Sequence, residues 1–65
     1  MTERVLLRTR EAAEALAVSE REIRYLVARG ELAPVVRIGR ALRIPVATVR
    51  SFAERRAADS APRSA

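Results

Sequence analysis

The chain has 65 residues, with 13 basic side chains that are all arginine and 8 acidic ones, giving a formal net charge of +5. It contains no cysteine and no histidine, which excludes disulfides and any zinc or catalytic site built on those residues. A chain of this length forms one domain with a small core, and its charge favours a polyanionic partner.

The first predicted element is a short helix near the start of the chain. The hydroxyl of Thr9 is expected to cap a helix over residues 10–16. Three apolar side chains repeat at helical spacing in it and form one narrow face, namely Ala12, Ala13 and Leu16. This face is small enough to pack closely against a neighbouring element.

A second helix start follows almost at once. Ser19 and Glu22 have the spacing of a capping box, in which the two residues satisfy each other's free backbone donors. The helix is predicted to run to about Arg29, because Gly30 is a natural left-handed stop. Its buried face is expected to consist of Ile23, Leu26 and Val27.

Beyond residue 35 the period changes from helical to alternating, which predicts two short strands around Gly39. A two-residue loop over 39–40 would mix apolar and charged residues on both faces of the hairpin. A three-residue loop over 39–41 places every apolar residue on one side, and we therefore predict it. The expected pairs are Ile38 with Leu42, Arg37 with Arg43, and Val36 with Ile44.

The last predicted element is a helix that closes the core. Pro45 suits its first turn, and the helix is expected to end at about Arg56. Its apolar positions are Val46, Val49, Phe52 and Ala53. We predict a single domain over residues 1–56, mainly α with a small β-hairpin in the order α-α-β-β-α, and a disordered tail over 57–65.

The spacing of the first two helices predicts a helix-turn-helix. Small Ala13 and Ala17 are followed by apolar Val18, and two helices that cross steeply through a short turn need small residues at their contact. An ordinary helical hairpin is the alternative for this pattern. With the basic hairpin added, the expected fold is a winged helix-turn-helix.

The exposed side of the second helix carries the candidates for reading DNA. We expect Arg21 to contact a guanine edge, and Arg24 or the Tyr25 hydroxyl to contact a phosphate. Ala28 lies on the same side. Arg24 has the alternative of an ion pair with Glu20 one turn earlier, and Glu20 itself either accepts from a cytosine amino group or has no role.

The hairpin concentrates positive charge, since three arginines and no acid lie between Arg37 and Arg43. We expect a phosphate to bind beside these two residues, while Arg40 at the loop tip reaches farther, into a minor groove. A merely solvated basic hairpin is the alternative. A further phosphate contact is expected at the start of the first helix, from Arg8, Thr9 and Arg10.

From residue 7 to about residue 56 the sequence resembles the excisionase family of MerR-like winged-helix proteins. The resemblance is carried by the segment 11–19, EAAEALAVS, and most specifically by the segment 36–45, VRIGRALRIP. It implies a recombination directionality factor of a phage or integrative plasmid that binds near an attachment site, bends DNA and helps an integrase excise the element. The family's contacts fall on Arg21, Arg24, Tyr25, Arg37, Arg40 and Arg43.

The resemblance implies double-stranded DNA as partner, together with a tyrosine or serine integrase and further copies bound cooperatively. A small MerR-like transcriptional regulator is the main alternative, and a protein-interaction or antitoxin-like module is another. We expect no enzyme activity, cofactor or metal, because no nucleophile, base and stabiliser form a recognisable constellation. No apolar run reaches the roughly 18 residues of a membrane span, so a cytoplasmic, nucleoid-associated protein is expected.

Overall fold

The computed structural model describes residues 5–60, which form three helices and a small antiparallel sheet. In chain order the elements are β1 (Leu6–Leu7), α1 (Thr9–Leu16), α2 (Glu20–Ala28), β2 (Val36–Ile38), β3 (Ala41–Pro45) and α3 (Val46–Ser60). The three strands lie in the order β1-β3-β2. The architecture is that of a small winged helix-turn-helix domain, as predicted.

Strand β1 is an addition to the predicted order α-α-β-β-α. It pairs with β3 through Leu6 with Pro45 and Leu7 with Ile44. The Val46 N–H also donates to the Val5 carbonyl at 2.9 Å. Two residues are too short to show an alternating pattern, so this strand is defined by its partner rather than by its own sequence.

The core lies around α1, which packs against α2, α3, β1 and β3. Buried Ala12 and Ala13 bring the α1 backbone close to its neighbours, as the narrow apolar face predicted. The other buried apolar side chains come from α2, the connection after it, β3 and α3, and are Ile23, Leu26, Leu32, Ile44 and Val49. So small a core leaves the domain sensitive to the loss of any one of these side chains.

The cap of α1 differs from the prediction. Arg8, with an extended backbone at φ −73° and ψ 160°, is the N-cap residue, and Thr9 is already the first helical residue. The predicted Thr9 cap is therefore wrong, because a cap must lie outside the helix with a non-helical backbone. The Glu11 carboxylate accepts from the Arg8 N–H at 2.8 Å and satisfies this end of the helix instead.

The turn between α1 and α2 contains a non-glycine residue in the left-handed region. Ala17 has φ 59° and ψ 42°. Its N–H donates to the Glu14 carbonyl at 3.2 Å, and the Val18 N–H donates to the Ala13 carbonyl at 2.9 Å. Helix α2 then begins with the predicted cap, in which the Ser19 hydroxyl accepts from the Glu22 N–H at 3.0 Å.

Helix α2 ends near the predicted position in a Schellman motif. Gly30 has φ 77°, its N–H donates to the Val27 carbonyl, and the Glu31 N–H donates to the Leu26 carbonyl. The chain then turns Leu32 inward, where its side chain is fully buried. This core residue was not predicted, although an apolar side chain just beyond a glycine stop commonly packs back on the helix.

The hairpin register differs from the prediction. Strands β2 and β3 pair Val36 with Arg43, Arg37 with Leu42, and Ile38 with Ala41, so the loop has two residues. Gly39 has φ 62° and Arg40 does not have a positive φ, the pattern of a type II′ turn. The turn chemistry of a leading glycine sets the register, and Ile38 is left 58% exposed on the outer face.

Helix α3 begins at Val46, directly after Pro45 ends β3, and continues to Ser60. The predicted end near Arg56 and the predicted start of a tail at residue 57 are therefore wrong. Alanine is the strongest helix former, and two of them extend the helix at 57 and 58. Val49 is buried as predicted, whereas Ala53 is exposed. Residues 61–65 of the predicted tail lie outside the described residues.

Candidate nucleic-acid interface

An open cleft of about 430 Å³ lies between helix α2 and the hairpin formed by β2 and β3. One wall carries Arg24 from α2, and the other carries Arg37 and Arg40 from the hairpin. Thr9 at the start of α1 lies at its edge, and the apolar floor consists of Val27, Ala28 and Leu42. The cleft therefore brings together four of the predicted contact residues from three separate elements.

A second, shallower depression covers the exposed side of α2 near its N-terminus. It is lined by Arg21, Arg24 and Tyr25, together with Ser19 and Glu22. Glu20 is exposed beside them, and its carboxylate lies 3.5 Å from the Arg24 guanidinium. Arg24 lines both depressions, so the α2 candidates and the cleft form one continuous surface, which we call the basic face.

The ion pair between Arg24 and Glu20 is the alternative that the helical spacing had left open. Both side chains are largely exposed, 64% for Arg24 and 46% for Glu20. An exposed pair one turn apart contributes only about 0.3–0.5 kcal/mol. A phosphate is therefore able to replace Glu20 as the partner of Arg24 at little cost.

Three of the four arginines of the basic face have no acidic partner among the described residues. Within residues 5–60, the guanidinium groups of Arg21, Arg37 and Arg40 have no carboxylate within ion-pair distance. By contrast, Arg10 is paired with Glu14, and Arg29, Arg55 and Arg56 are bound to Glu31. Three unpaired guanidinium groups thus lie on the side of the molecule where α2 and the hairpin are exposed. Among the described residues, Arg43 on the outer face of the sheet and Arg50 on α3 also have no ion pair.

The observed register separates the two strand arginines that were expected to face each other. Arg37 is paired with Leu42 and lines the cleft, whereas Arg43 lies on the opposite face of the sheet. The Arg43 guanidinium donates to the carbonyl of its neighbour Leu42 at 2.9 Å. The expected anion between Arg37 and Arg43 therefore has no place, and Arg43 does not belong to the cleft.

The start of α1 contributes less than the sequence indicated. The Arg8 N–H is already bound by the Glu11 carboxylate, which also places a negative charge in the first turn. Arg10 lies 3.8 Å from Glu14 on an exposed surface. Of the three residues predicted at this helix end, the cleft includes Thr9 alone.

Two residues that the sequence reading left out adjoin the basic face. Arg29 lies over the Tyr25 ring at 5.2 Å and donates to its hydroxyl at 3.2 Å. Glu31 binds Arg29 in turn at 2.9 Å. The spacing of Tyr25 and Arg29, one helical turn apart, was a visible signal for the first contact, but the second needs the fold.

Two further features of the described residues concern metal ions and membranes. Between residues 5 and 60 no three acidic, cysteine or histidine side chains are grouped closely enough to hold a metal ion. In the same part of the chain, no helix has both the length and the apolar character required to cross a membrane.

Two helices joined by a tight turn, a second helix with an exposed arginine-rich side, and a basic hairpin beside it define a DNA-binding helix-turn-helix domain. A family model described as a helix-turn-helix domain matches residues 6–57, and the chain belongs to that family. No curated protein and no solved structure matches the chain. Members of this family bind DNA and are typically not enzymes.

Proposed function

We propose that the protein is an excisionase, a recombination directionality factor that binds double-stranded DNA at specific sites, bends it and assists a tyrosine or serine integrase. The observation that carries the DNA-binding part is the basic face, where Arg21, Arg37 and Arg40 on α2 and the hairpin have no ion pair with any acid of residues 5–60. The excision role rests on the resemblance of segments 11–19 and 36–45 to the excisionase family.

In this proposal the two elements have different tasks. Helix α2 enters the major groove, where Arg21 contacts a base edge and Arg24 and Tyr25 contact the backbone. The hairpin lies along the neighbouring backbone, with Arg37 in the cleft and Arg40 at the tip. Arg40 is expected to contact phosphate or the minor groove without reading sequence. Specificity therefore comes from α2 and most of the affinity from the hairpin.

The first experiment measures binding of a random-sequence duplex against salt concentration. About four phosphate contacts per monomer predict a log-log slope of roughly −3.5. Arg40→Ala is expected to weaken binding to all duplexes alike and to reduce the slope by about 1. Arg50→Ala is the matched control, because Arg50 is an exposed arginine on α3 outside the cleft, and it should change the slope much less.

A slope near zero for the wild-type protein would contradict DNA binding and favour a protein-interaction module, in which the hairpin binds an acidic partner. Equal effects of Arg40→Ala and Arg50→Ala would contradict the assignment of the hairpin to the interface.

A second experiment separates excision from transcriptional regulation, the alternative role for this domain. If an integrase gene lies beside this gene, the purified protein is added to that integrase together with DNA that carries the paired attachment sites. An excisionase increases excision and suppresses integration, and the footprint should show one or more bound copies near the attachment site. If recombination is unchanged while the protein binds a promoter, it is a regulator.

A further inference from the structure

A continuous row of interactions joins the end of the basic face to helix α3. The Arg29 guanidinium lies over the Tyr25 ring and donates through Nη1 to the Tyr25 hydroxyl at 3.2 Å. Its Nε lies 2.9 Å from Oε2 of Glu31 and forms an ion pair with that carboxylate. The other oxygen of that carboxylate, Oε1, accepts from Arg56 at 3.0 Å, and Arg55 donates to the Glu31 carbonyl at 3.1 Å.

Within this row, Glu31 is the residue that contacts both the end of α2 and helix α3. Its carboxylate binds one arginine from the end of α2 and one from α3, each through a separate oxygen. Its side chain is 32% exposed, less than the arginines that it binds. Charge-assisted hydrogen bonds of this kind are stronger than neutral ones, and a network orders side chains that an isolated exposed pair would leave free.

In this arrangement the Tyr25 hydroxyl is a hydrogen-bond donor toward the outside of the protein. The phenolic oxygen accepts from Arg29, so the phenolic proton is available to donate to a partner outside the protein. A phosphate oxygen accepts hydrogen bonds and donates none, which makes it a suitable partner. Tyr25 is 54% exposed and lines the α2 depression beside Arg21 and Arg24.

We propose that Glu31 is a positioning residue for DNA binding. It holds Arg29 against Tyr25 and thereby fixes the Tyr25 hydroxyl as the donor to a phosphate beside α2. Glu31 itself does not contact DNA. This inference rests on the proposed DNA-binding function and adds a residue that the basic face does not include.

In the variant Glu31→Gln, the change of charge and the loss of positioning have opposite effects on DNA binding. Removing a carboxylate raises the positive charge of the protein, which by itself strengthens DNA binding. Loss of positioning weakens binding, by about threefold to tenfold for one hydrogen bond. We expect Glu31→Gln to weaken binding to a random-sequence duplex. The control Glu54→Gln removes the same charge from an exposed site on α3 and should bind as tightly as wild type or more tightly.

A double-mutant cycle with Tyr25→Phe identifies the route of the effect. Tyr25→Phe should weaken binding to a similar extent, and in that background Glu31→Gln should weaken it no further. Glu31→Asp keeps the charge but shortens the side chain, so it cannot hold both arginines, and it should also weaken binding. This variant serves if Glu31→Gln does not fold, which circular dichroism of each variant reports.

The proposal is overturned if Glu31→Gln tightens binding as Glu54→Gln does, or if Glu31→Asp has wild-type affinity. It is also overturned if the effects of Tyr25→Phe and Glu31→Gln are additive. Failure of DNA binding as such is a separate result, because it appears as a salt slope near zero in the wild-type protein before any variant is compared.

Discussion

Ala17 adopts a backbone conformation that alanine normally avoids. Its φ of 59° brings Cβ close to the following carbonyl oxygen, at a cost of roughly 1–2 kcal/mol. The two hydrogen bonds across the turn and the packing of α1 against α2 hold it there. The residue is exposed, so its methyl group contributes little in return.

Ala17→Gly is therefore expected to stabilise the domain. Relief of the left-handed strain exceeds the extra entropy that glycine gives the unfolded chain, and the net gain should be about 0.5–1 kcal/mol. Urea unfolding measures it. Ala15→Gly is the matched control, since Ala15 is also exposed but lies inside α1, where glycine should cost about 1 kcal/mol. Destabilisation by both variants would contradict this account of the turn.

At the scale of the elements, the alternation of side chains along β3 assigns one face of the sheet to the core and the cleft and the other face to the outer surface. Along this strand Ile44 points into the core and Arg43 points outward. Leu7 lies on the inner face as the partner of Ile44, and Arg37 shares that face beside Leu42. The same inner face therefore supplies the core at one end and the wall of the cleft at the other.

The register predicts opposite outcomes for two isoleucines of the hairpin. Ile44→Ala should cost about 2–4 kcal/mol, because the side chain is fully buried and the small core cannot close the cavity. Ile38→Ala should change the stability by less than about 0.5 kcal/mol, because that side chain is on the outer face. Thermal unfolding of both variants provides the comparison. A large loss for Ile38→Ala would indicate that it packs in the core, as the three-residue loop required.

Helix α2 was predictable because local signals define both of its ends. Ser19 and Gly30 mark the ends of α2 through hydrogen bonds made within a few residues, and the apolar spacing marks its buried face. The hairpin register was not predicted, because apolar alternation and the preference of Gly39 for a two-residue turn conflicted, and the turn prevailed.

The parts of the site that depend on distant contacts could not be read from the chain. Arg21, Arg24 and Tyr25 follow from the period of one helix, and they do lie together. The ion pair of Glu31 with Arg56 joins residues 25 positions apart in the sequence, and no local pattern indicates it. Strand β1 was missed for the same reason, since its pairing partners Ile44 and Pro45 are distant from it in the sequence.

At the scale of the whole molecule, a single small core supports a surface with uncompensated positive charge. Among the described residues, Arg24 is the one of Arg21, Arg24, Arg37 and Arg40 that forms an ion pair, so most of the repulsion among these four side chains remains. A polyanion bound across this surface removes that repulsion and links α2 to the hairpin. Binding to the native state alone raises its stability by mass action.

DNA is therefore expected to raise the melting temperature markedly. At a duplex concentration of about 100 times Kd the gain is about 2.7 kcal/mol, which for a domain of this size corresponds to roughly 10 °C or more. Thermal unfolding followed by circular dichroism at 222 nm, with and without duplex, measures it. The increase should disappear at high salt. An unchanged melting temperature at low salt, or an equal increase at high salt, would contradict the assignment.

The pairing of β1 with β3 also determines the order in which the domain is completed during synthesis. The ribosome makes Leu6 and Leu7 first, but their partners at Ile44 and Pro45 emerge only after both helices of the helix-turn-helix and the first strand of the hairpin. Helices α1 and α2 have local contacts and are able to form early. The floor of the cleft at Leu42 belongs to β3, so a nascent chain acquires its DNA-binding surface late, when the sheet closes.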